Sequence, residues 1–489
     1  MMREMGRIIS SHWSLIVLAG IMVLAAILRL WQINESLWVD ELHTSWCVNG
    51  GLSHVADRAI AGNQSPLYFY FVWGVTRLLG ESEFTLRLPS LLAGIVLPGM
   101  TWLLVRRFEL DARTDVAAIL AALLVSVDHT SMFYSTEARP YALVELLGAV
   151  SLYLAMDAVR GGSFLRIALV STLVTLFYLH YTTALYIAAI LTCFMTYALI
   201  DPKGQPGRWK AWLAIGLTTI LYCLPATFQL LDIASRRGNW SVFVDSLTGA
   251  EGYIALVVLL ALWPRLPPAG LLLAGIACLL PALLAWGLTW WELIPLFHTR
   301  YIVATTPVLW ASIAAAGQVA DQPRVRQAAS VGIAAAAIWW SGIVENCVTH
   351  GKPFVDRQEG WRSAVAAVNF EHQQHPQWKI LVHSGLIESD VLRDHPTAAL
   401  REYGLLPVRA LYKLDAADSD LIPLPMTQPE QLNAETREAV LRAGGAIVLL
   451  RQTADQAEAV AKELDTFGII NRQSFGGIQV ISLEVSIEP

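Results

Sequence analysis

Long apolar runs alternate with short polar connections from residue 13 to about residue 345. An apolar run of roughly 18 residues or more predicts a transmembrane helix, because crossing a hydrocarbon core of about 30 Å takes about 20 helical residues. The pattern predicts eleven spans, at residues 13–30, 84–105, 115–133, 140–158, 164–179, 183–200, 210–230, 250–263, 269–290, 301–319 and 328–345. The predicted fold class is therefore an α-helical polytopic membrane protein.

Three apolar stretches need interpretation. Residues 165–200 would form a helix about 54 Å long, so we divide them at His180-Tyr181. The span at 250–263 is the shortest, and its apolar length also suits a core or re-entrant segment. Without that span, the orientation of everything downstream would invert. Residues 65–79 are apolar but short and carry Arg77, which predicts a helix lying in the membrane interface.

Loop charge sets the predicted orientation. With the N-terminus in the cytoplasm, the predicted inner connections contain more Arg and Lys than the outer ones, as the positive-inside rule requires. Arg29, at the end of the first span, is long enough to snorkel to the interface. This orientation places the C-terminal region on the extracytoplasmic side.

The composition changes to that of a soluble domain near residue 350. We therefore predict a membrane domain over 1–348, with a first outer loop at 32–83, and a small extracytoplasmic α/β domain over 349–489. Short apolar runs in the latter predict strands at 379–384, 446–451 and 479–485. Helical periodicity follows Thr453, a predicted N-cap, from Ala454 to Leu464. With no glycine-rich phosphate loop in this domain, docking or acceptor handling is the widest role that its sequence supports.

Composition agrees with a membrane protein and narrows its partners. Charged residues make up 15% of the chain and hydrophobic residues 55%, whereas soluble domains contain about 25% charged residues. The formal net charge of −6 includes no basic excess, so nothing indicates a nucleic-acid partner.

Candidate chemistry collects in the predicted outer turns, whereas the inner turns are short and basic. A general base beside a cationic cradle for phosphate requires this mixture of side chains. The turns contain Asp40, Glu41 and His43; Glu137, Arg139 and Tyr141; His180 and Tyr181; Arg236 and Arg237; and Arg300 and Tyr301.

Each of these candidates also has a structural interpretation. Arginines near helix ends commonly anchor at the interface, His180 suits a tight turn, and Glu137 and Arg139 are close enough in sequence to pair with each other. Asp40 and Glu41 favour function more strongly, because two adjacent acids between apolar and aromatic neighbours lie where charge is costly.

Five segments in this order resemble the GT-C superfamily of membrane glycosyltransferases. The resemblance covers roughly residues 10–345 and is greatest to the bacterial branch related to protein O-mannosyltransferases and lipid A aminoarabinose transferases. The segments are LWVDE, QSPLYFYFVWGVTRLLGESEFTLRLPSLLAG, YSTEARPYAL, LHYTTAL and HTRYIVATTPVLW.

The resemblance implies sugar transfer from a polyprenyl-phosphate donor to an acceptor at the outer membrane face. Asp40 would be the catalytic base, and Glu41 would assist substrate binding. The positions implied to bind substrate are His43, Glu137, Arg139, Tyr141, His180, Tyr181, Arg236, Arg237, Arg300 and Tyr301. Arg139, Arg300 and Tyr301 would lie near the lipid phosphate. A divalent cation at Asp40, Glu41 and His43 stays open, and no metal ligand is assigned.

The implied partners are the lipid-linked sugar, surrounding membrane lipid, and a glycan, lipid or protein acceptor. The implied location is a bacterial inner or plasma membrane. A lipid or glycan transporter or flippase is the alternative function, although such proteins place polar groups near the midplane and are often built from two matching halves. A non-catalytic membrane subunit that presents its outer domain to a partner is a third possibility.

Overall fold

A computed structural model of the chain describes residues 2–108, 114–158, 162–200, 208–236, 269–291, 293, 296–318, 320–355, 357–386, 389, 397–452 and 454–485. The described residues before position 350 are mostly helical. Their helices are α1 (Met2–Leu30), α2 (Val39–Val48), α3 (Leu52–Ala61), α4 (Leu67–Leu79), α5 (Glu83–Arg106), α6 (Thr114–Val127), α7 (His129–Ser135), α8 (Tyr141–Ala158), α9 (Gly162–Leu179), α10 (Ala184–Ile200), α11 (Arg208–Cys223), α12 (Ala226–Arg236), α13 (Ala269–Trp290), α14 (Thr299–Ile302), α15 (Thr306–Ala316), α16 (Pro323–Trp340) and α17 (Ile343–His350).

Within the described residues, five helical stretches are long and apolar enough to cross a membrane. They are Trp13–Leu30, Glu83–Arg106, Tyr141–Ala158, Gly162–Leu179 and Tyr181–Leu199. The number rises to seven if the bent pairs α6–α7 and α16–α17 each count as one span. The chain is therefore an integral membrane protein. The predicted span at 250–263 lies outside the described residues.

The predicted division at His180 is confirmed. His180 has an extended backbone, with φ −157° and ψ 113°, between α9 and the 3-10 turn Tyr181–Thr183. Two other predicted spans are interrupted. Residues 115–133 bend by 60° between α6 and α7, because Asp128 accepts a hydrogen bond from Ser131 N at 2.8 Å and caps a new helix. Residues 301–319 begin as a short helix and a 3-10 turn before α15.

The described C-terminal region contains both helices and strands. Its elements are α18 (Trp361–Gln374), β1 (Lys379–His383), α19 (Ala398–Gly404), β2 (Leu421–Pro423), α20 (Ala434–Ala443), β3 (Gly445–Arg451), α21 (Ala454–Leu464), β4 (Ile469–Phe475) and β5 (Ile478–Glu484). The five strands form one sheet in the order β2-β1-β3-β5-β4. β1 is parallel to β2 and β3, whereas β5 is antiparallel to β3 and β4. The three predicted strands and the helix predicted at Ala454–Leu464 are confirmed, and β2 and β4 are additional. Thr453, the predicted N-cap, lies outside the described residues.

The chain divides into two compact units. The helical unit comprises Met1–Ile33, Asn63–Tyr68 and Arg87–Phe354. The sheet unit comprises Asn34–Gly62, Phe69–Leu86 and Val355–Pro489, so most of the first predicted outer loop belongs to it. Its core lies on the sheet, where Leu381, Val448 and Leu450 are fully buried.

Candidate functional site

The adjacent acids Asp40 and Glu41 lie in the first turn of helix α2, in the sheet unit. Asp40 is the second residue of the helix and is half-buried, whereas Glu41 is fully buried. The backbone N–H of Trp38 donates to Glu41 Oε2 at 3.4 Å, which caps the first turn. Carboxylates in the first turn of a helix also interact favourably with its dipole. Glu41 therefore shapes the helix start from which Asp40 projects.

Other segments of the sheet unit hold the start of α2. Val39 N–H donates to Glu359 Oε2 at 3.0 Å, and Leu37 N–H donates to the Tyr412 hydroxyl at 3.0 Å. Tyr412 donates in turn to Glu83 Oε1 at 2.9 Å. Burial, reinforced by the charge of Glu83, raises the pKa of Tyr412 to about 12, so this hydroxyl keeps its proton at physiological pH. No sequence pattern indicates Glu359 or Tyr412, because both lie far along the chain from Asp40.

His43 is packed among aromatic rings. It is only 3% exposed, and its ring centroid lies 5.5 Å from that of Phe69 and 5.8 Å from that of Tyr403. Cys47 Sγ lies 3.5 Å from His43 Nε2. No group of three or more His, Cys, Asp or Glu within the described part of the chain is arranged to hold a metal ion, the Asp40–His43 segment included.

In the helical unit, three of the predicted turns converge on one aromatic cluster. The His180 ring centroid lies 5.4 Å from that of Tyr141 and 5.7 Å from that of Tyr301. Tyr134 extends the cluster beyond Tyr141 at 4.6 Å, and His298 extends it beyond Tyr301 at 5.7 Å. The turns before α8, after α9 and before α15 therefore meet.

Two arginines place positive charge beside this cluster. Arg139 is 4% exposed, and the Arg300 guanidinium lies 5.6 Å from the centroid of the Tyr301 ring. Burial, together with the positive charges of Arg139 and Arg300, lowers the pKa of His180 to about 3. His180 is therefore neutral at physiological pH. Two guanidinium groups beside a neutral imidazole and phenol hydroxyls are suited to binding a phosphate oxygen.

The turn that carries Arg139 is braced by its own backbone. Arg139 N–H donates to Glu137 O at 2.8 Å, and Ser90 Oγ donates to Arg139 O at 2.7 Å. Ser90 is itself in hydrogen-bonding contact with the Tyr68 hydroxyl at 3.0 Å. Glu137 is 1% exposed, so both charged groups of this turn are buried. Through Tyr68 of α4 and Ser90 of α5, these two helices hold the backbone of Arg139 in place.

The remaining predicted residues lie around the same turns. The Tyr181 hydroxyl donates to Gln229 Oε1 on α12 at 2.5 Å, and Gln229 Nε2 donates to Gln64 O at 3.1 Å. Arg236 is the last residue of α12. Its side chain and Arg237 fall outside what the structure describes.

A buried charged group was missed from the sequence. Glu145 of α8 is fully buried and accepts from Ser131 Oγ of α7 at 3.1 Å. Arg29 and Asp128 interact electrostatically with it. The snorkelling expected for Arg29 is wrong: its side chain is fully buried and donates to Ala25 O and to Ser126 O, a carbonyl beside the α6–α7 bend. The one available signal was Glu145 itself, an acid inside an apolar run.

A glycine allows two of the site elements to approach closely. A Cβ on Gly148 of α8 would lie 2.6 Å from Ala304 O in the 3-10 turn Val303–Thr305. Gly148 O also accepts from the Tyr186 hydroxyl at 2.9 Å. The Arg300–Tyr301 segment lies just before this turn, so its position depends on residue 148 having no side chain.

Comparisons with known proteins agree with this architecture. The family described as dolichyl-phosphate-mannose-protein mannosyltransferase matches residues 63–228. Among solved structures, ArnT from Cupriavidus metallidurans in the apo state is 13% identical, with a TM-score of 0.52 over 96% of this chain and 98% of that chain. The same protein bound to undecaprenyl phosphate gives a TM-score of 0.50 at 13% identity over 98% and 99%.

A third match is archaeal. The oligosaccharyltransferase AglB from Archaeoglobus fulgidus, in complex with an inhibitory peptide and a dolichol-phosphate, is 11% identical, with a TM-score of 0.52 over 98% of this chain and 75% of that chain. No curated protein sequence matches the chain. The chain has the fold of the GT-C membrane glycosyltransferases, so the resemblance stated from its sequence motifs is confirmed.

Proposed function

We propose that this GT-C-fold protein transfers a sugar from a polyprenyl-phosphate donor to an acceptor hydroxyl. The observation that carries the proposal is the convergence of Arg139, His180, Arg300 and Tyr301 from three separate turns. Forked guanidinium groups bind phosphate oxygens in a bidentate manner, so a lipid phosphate is a ligand that suits Arg139 and Arg300. Proteins of the same fold have been solved with undecaprenyl phosphate or a dolichol-phosphate bound, which supports this donor class.

The proposed reaction is a single displacement with inversion at the anomeric carbon. A bond forms between the acceptor oxygen and the anomeric carbon while the bond from that carbon to the phosphate oxygen breaks. Asp40 takes the proton of the acceptor hydroxyl, and the leaving phosphate keeps the bonding electron pair. No acid is required, because a phosphate is a good leaving group, unlike the alkoxide that a glycoside hydrolase must protonate.

The other candidate residues have distinct proposed roles. Arg139 and Arg300 bind the phosphate and stabilise the charge that grows on it, a role suited to the forked guanidinium. His180, Tyr141, Tyr181 and Tyr301 line the donor pocket, and Glu137 orients Arg139. Arg236 or Arg237 adds a further cation. Glu41 supports Asp40 from within α2, and His43 packs behind it on the same helix.

The proposal includes the finer topology. All eleven predicted crossings, a cytoplasmic N-terminus and an extracytoplasmic domain over 349–489 belong to it, as does a bacterial inner or plasma membrane. The sugar is a hexose or a pentose, and the acceptor is a glycan, a lipid or a protein.

The decisive test is product release. Purified protein in lipid nanodiscs is incubated with a polyprenyl-phosphate sugar and an extract of envelope glycans and lipids, and free polyprenyl phosphate is measured by mass spectrometry. We expect sugar loss from the donor together with a matching mass increase in an acceptor. Movement of intact donor across a vesicle bilayer without cleavage would instead establish the transporter function.

A further inference from the structure

One carboxylate in the C-terminal part of the sheet unit binds the start of the helix that carries Asp40. Glu359 Oε2 accepts from Val39 N–H at 3.0 Å and from Trp361 Nε1 at 2.8 Å. Its other oxygen forms an ion pair with Arg451 Nε of β3 at 2.8 Å. Val39 is the first residue of α2, and Asp40 is the second. One side chain therefore joins the sheet to the residue next to the proposed base.

A second connection holds the approach to the same helix. The Tyr412 hydroxyl accepts from Leu37 N–H and donates to Glu83. Arg362 pairs with Glu83 at 2.6 Å and donates to Asn34 O at 2.7 Å. Later in the helix, Leu411 N–H donates to Ser45 Oγ at 3.0 Å. The backbone just before Asp40 and the Ser45 side chain after it are thus tied to residues that come more than three hundred positions later in the sequence.

We propose that Glu359 and Tyr412 are positioning residues for Asp40, so that the C-terminal domain takes part in catalysis by orienting the base. This inference rests on the proposed function of Asp40. A general base acts only within hydrogen-bond reach of the proton that it removes, and misplacement by about 1 Å can cost about a hundredfold in rate. Neither residue touches substrate in this role.

The chain supplies a matched control. Lys379 of β1 forms an ion pair with Asp420 at 2.7 Å in the same sheet, and its side chains are about as exposed, at 22% and 21%, as those of Arg451 and Glu359, at 30% and 14%. The Lys379 ammonium donates to Asp420 and to Ser419 O, neither of them in α2. Lys379→Met therefore removes a comparable ion pair without removing a hydrogen bond to the helix.

The experiment compares full-length Glu359→Ala, Glu359→Gln, Tyr412→Phe and Lys379→Met proteins in nanodiscs. Hydrogen exchange is measured for the amides of residues 37–42, and kcat and the donor KM are measured for sugar transfer. We expect Glu359→Ala to accelerate amide exchange and to lower kcat by about tenfold or more while the donor KM changes by less than about twofold. Glu359→Gln keeps an acceptor for Val39 N–H and should recover part of the loss.

Lys379→Met should lower the unfolding temperature without accelerating amide exchange at residues 37–42 and without lowering kcat. An equal loss of kcat in Lys379→Met would show that domain stability alone is responsible and would overturn the inference. Unchanged exchange at residues 37–42 in Glu359→Ala would overturn it as well. Absence of sugar transfer by the wild-type protein would refute the proposed function instead, and the exchange data would still decide whether Glu359 holds the helix.

Discussion

Asp40 projects from the first turn of α2, beside a fully buried acid that serves the helix itself. The two adjacent carboxylates are therefore not equivalent: Glu41 is fully buried, whereas Asp40, the proposed base, is half-buried. Asp57 in the neighbouring helix α3 is an exposed acid of the same loop and provides a comparison.

Asp40→Asn should abolish sugar transfer because the amide cannot accept the acceptor proton. A general base contributes about a hundredfold to ten-thousandfold, so turnover should fall by at least about a hundredfold. Protein level and unfolding temperature should match the wild type, and Asp57→Asn should be fully active. Near-normal turnover by Asp40→Asn, measured as release of polyprenyl phosphate, would remove Asp40 as the base.

Arg300→Ala should weaken the donor more than the acceptor, because the guanidinium is proposed to bind the lipid phosphate. The donor KM should rise by about tenfold or more, as expected for loss of a charge-assisted contact, while the acceptor KM stays within about twofold. Arg300→Lys should recover only part of the affinity, since it cannot bind in a bidentate manner. Arg77→Ala, at an exposed helix end, is the control. Equal effects on both substrates would contradict the assignment.

His180 should make the protein less stable in acid. Its folded pKa of about 3 lies below the ordinary value of 6.5, so the unfolded chain takes up a proton that the folded chain refuses. Stability should therefore fall as pH decreases from 6.5 towards 3, by at most about 1.4 kcal/mol per pH unit from this group. Thermal unfolding between pH 7 and 4 measures this, and His180→Gln should flatten the slope. An unchanged slope, with exposed His54→Gln as control, would show that His180 does not titrate this way.

At the scale of elements, the cationic cluster depends on how closely α8 approaches the turn Val303–Thr305. Backbone-to-backbone contact at this point leaves no room for a side chain, so α8 sets the position of the turn that directly follows the helix carrying Arg300 and Tyr301.

Gly148→Ala should displace this turn, since the added carbon would lie 2.6 Å from Ala304 O. Overpacking of this kind costs about 1–3 kcal/mol, and the donor KM should rise with it. Gly332→Ala in α16, where a Cβ meets nothing within 4 Å, should leave the donor KM unchanged and slightly raise stability. Unfolding temperature and donor KM together test this, and equal behaviour of the two variants would contradict it.

Sequence periodicity predicted the strands that are apolar and buried along their whole length. It missed the elements and residues whose burial depends on partners from other parts of the chain. β1, β3 and β5 are apolar and buried, so their composition revealed them, whereas β4 alternates partly buried and exposed positions and β2 has only three residues. In the site, the turns were predictable because polar residues interrupt apolar runs. Glu145 and Arg29 were not, because their partners come from other helices and no local pattern encodes that pairing.

At the scale of the whole molecule, the C-terminal domain is not a self-contained segment. Its compact unit also includes Asn34–Gly62 and Phe69–Leu86. Tyr403 illustrates the dependence: it is 6% exposed, and its ring packs at 5.8 Å from both His43 and Trp46 of α2.

Tyr403→Ser should therefore reduce the stability of the full chain but improve the solution behaviour of an isolated C-terminal fragment. In the full chain it should destabilise the sheet unit by about 3 kcal/mol, the cost of removing a buried aromatic side chain. In a fragment of residues 351–489 the same ring loses both partners, so its removal should reduce self-association. Thermal unfolding of the full chain and light scattering of the fragment are the measurements. Equal association of the two fragments would show that the ring finds other cover.

The hydrogen bonds from Leu37 to Tyr412 and from Val39 to Glu359 join residues 375 and 320 positions apart. A ribosome adds about 5–20 residues per second, so helix α2 leaves the ribosome on the order of tens of seconds before its partners exist. Through that interval its apolar residues, such as Leu42 and Trp46, lack the surface that finally covers them. The segment that carries the proposed base is thus among the first parts of the chain to be synthesised and among the last that can reach its native state. During this interval the exposed apolar residues of α2 are a binding site for a membrane chaperone.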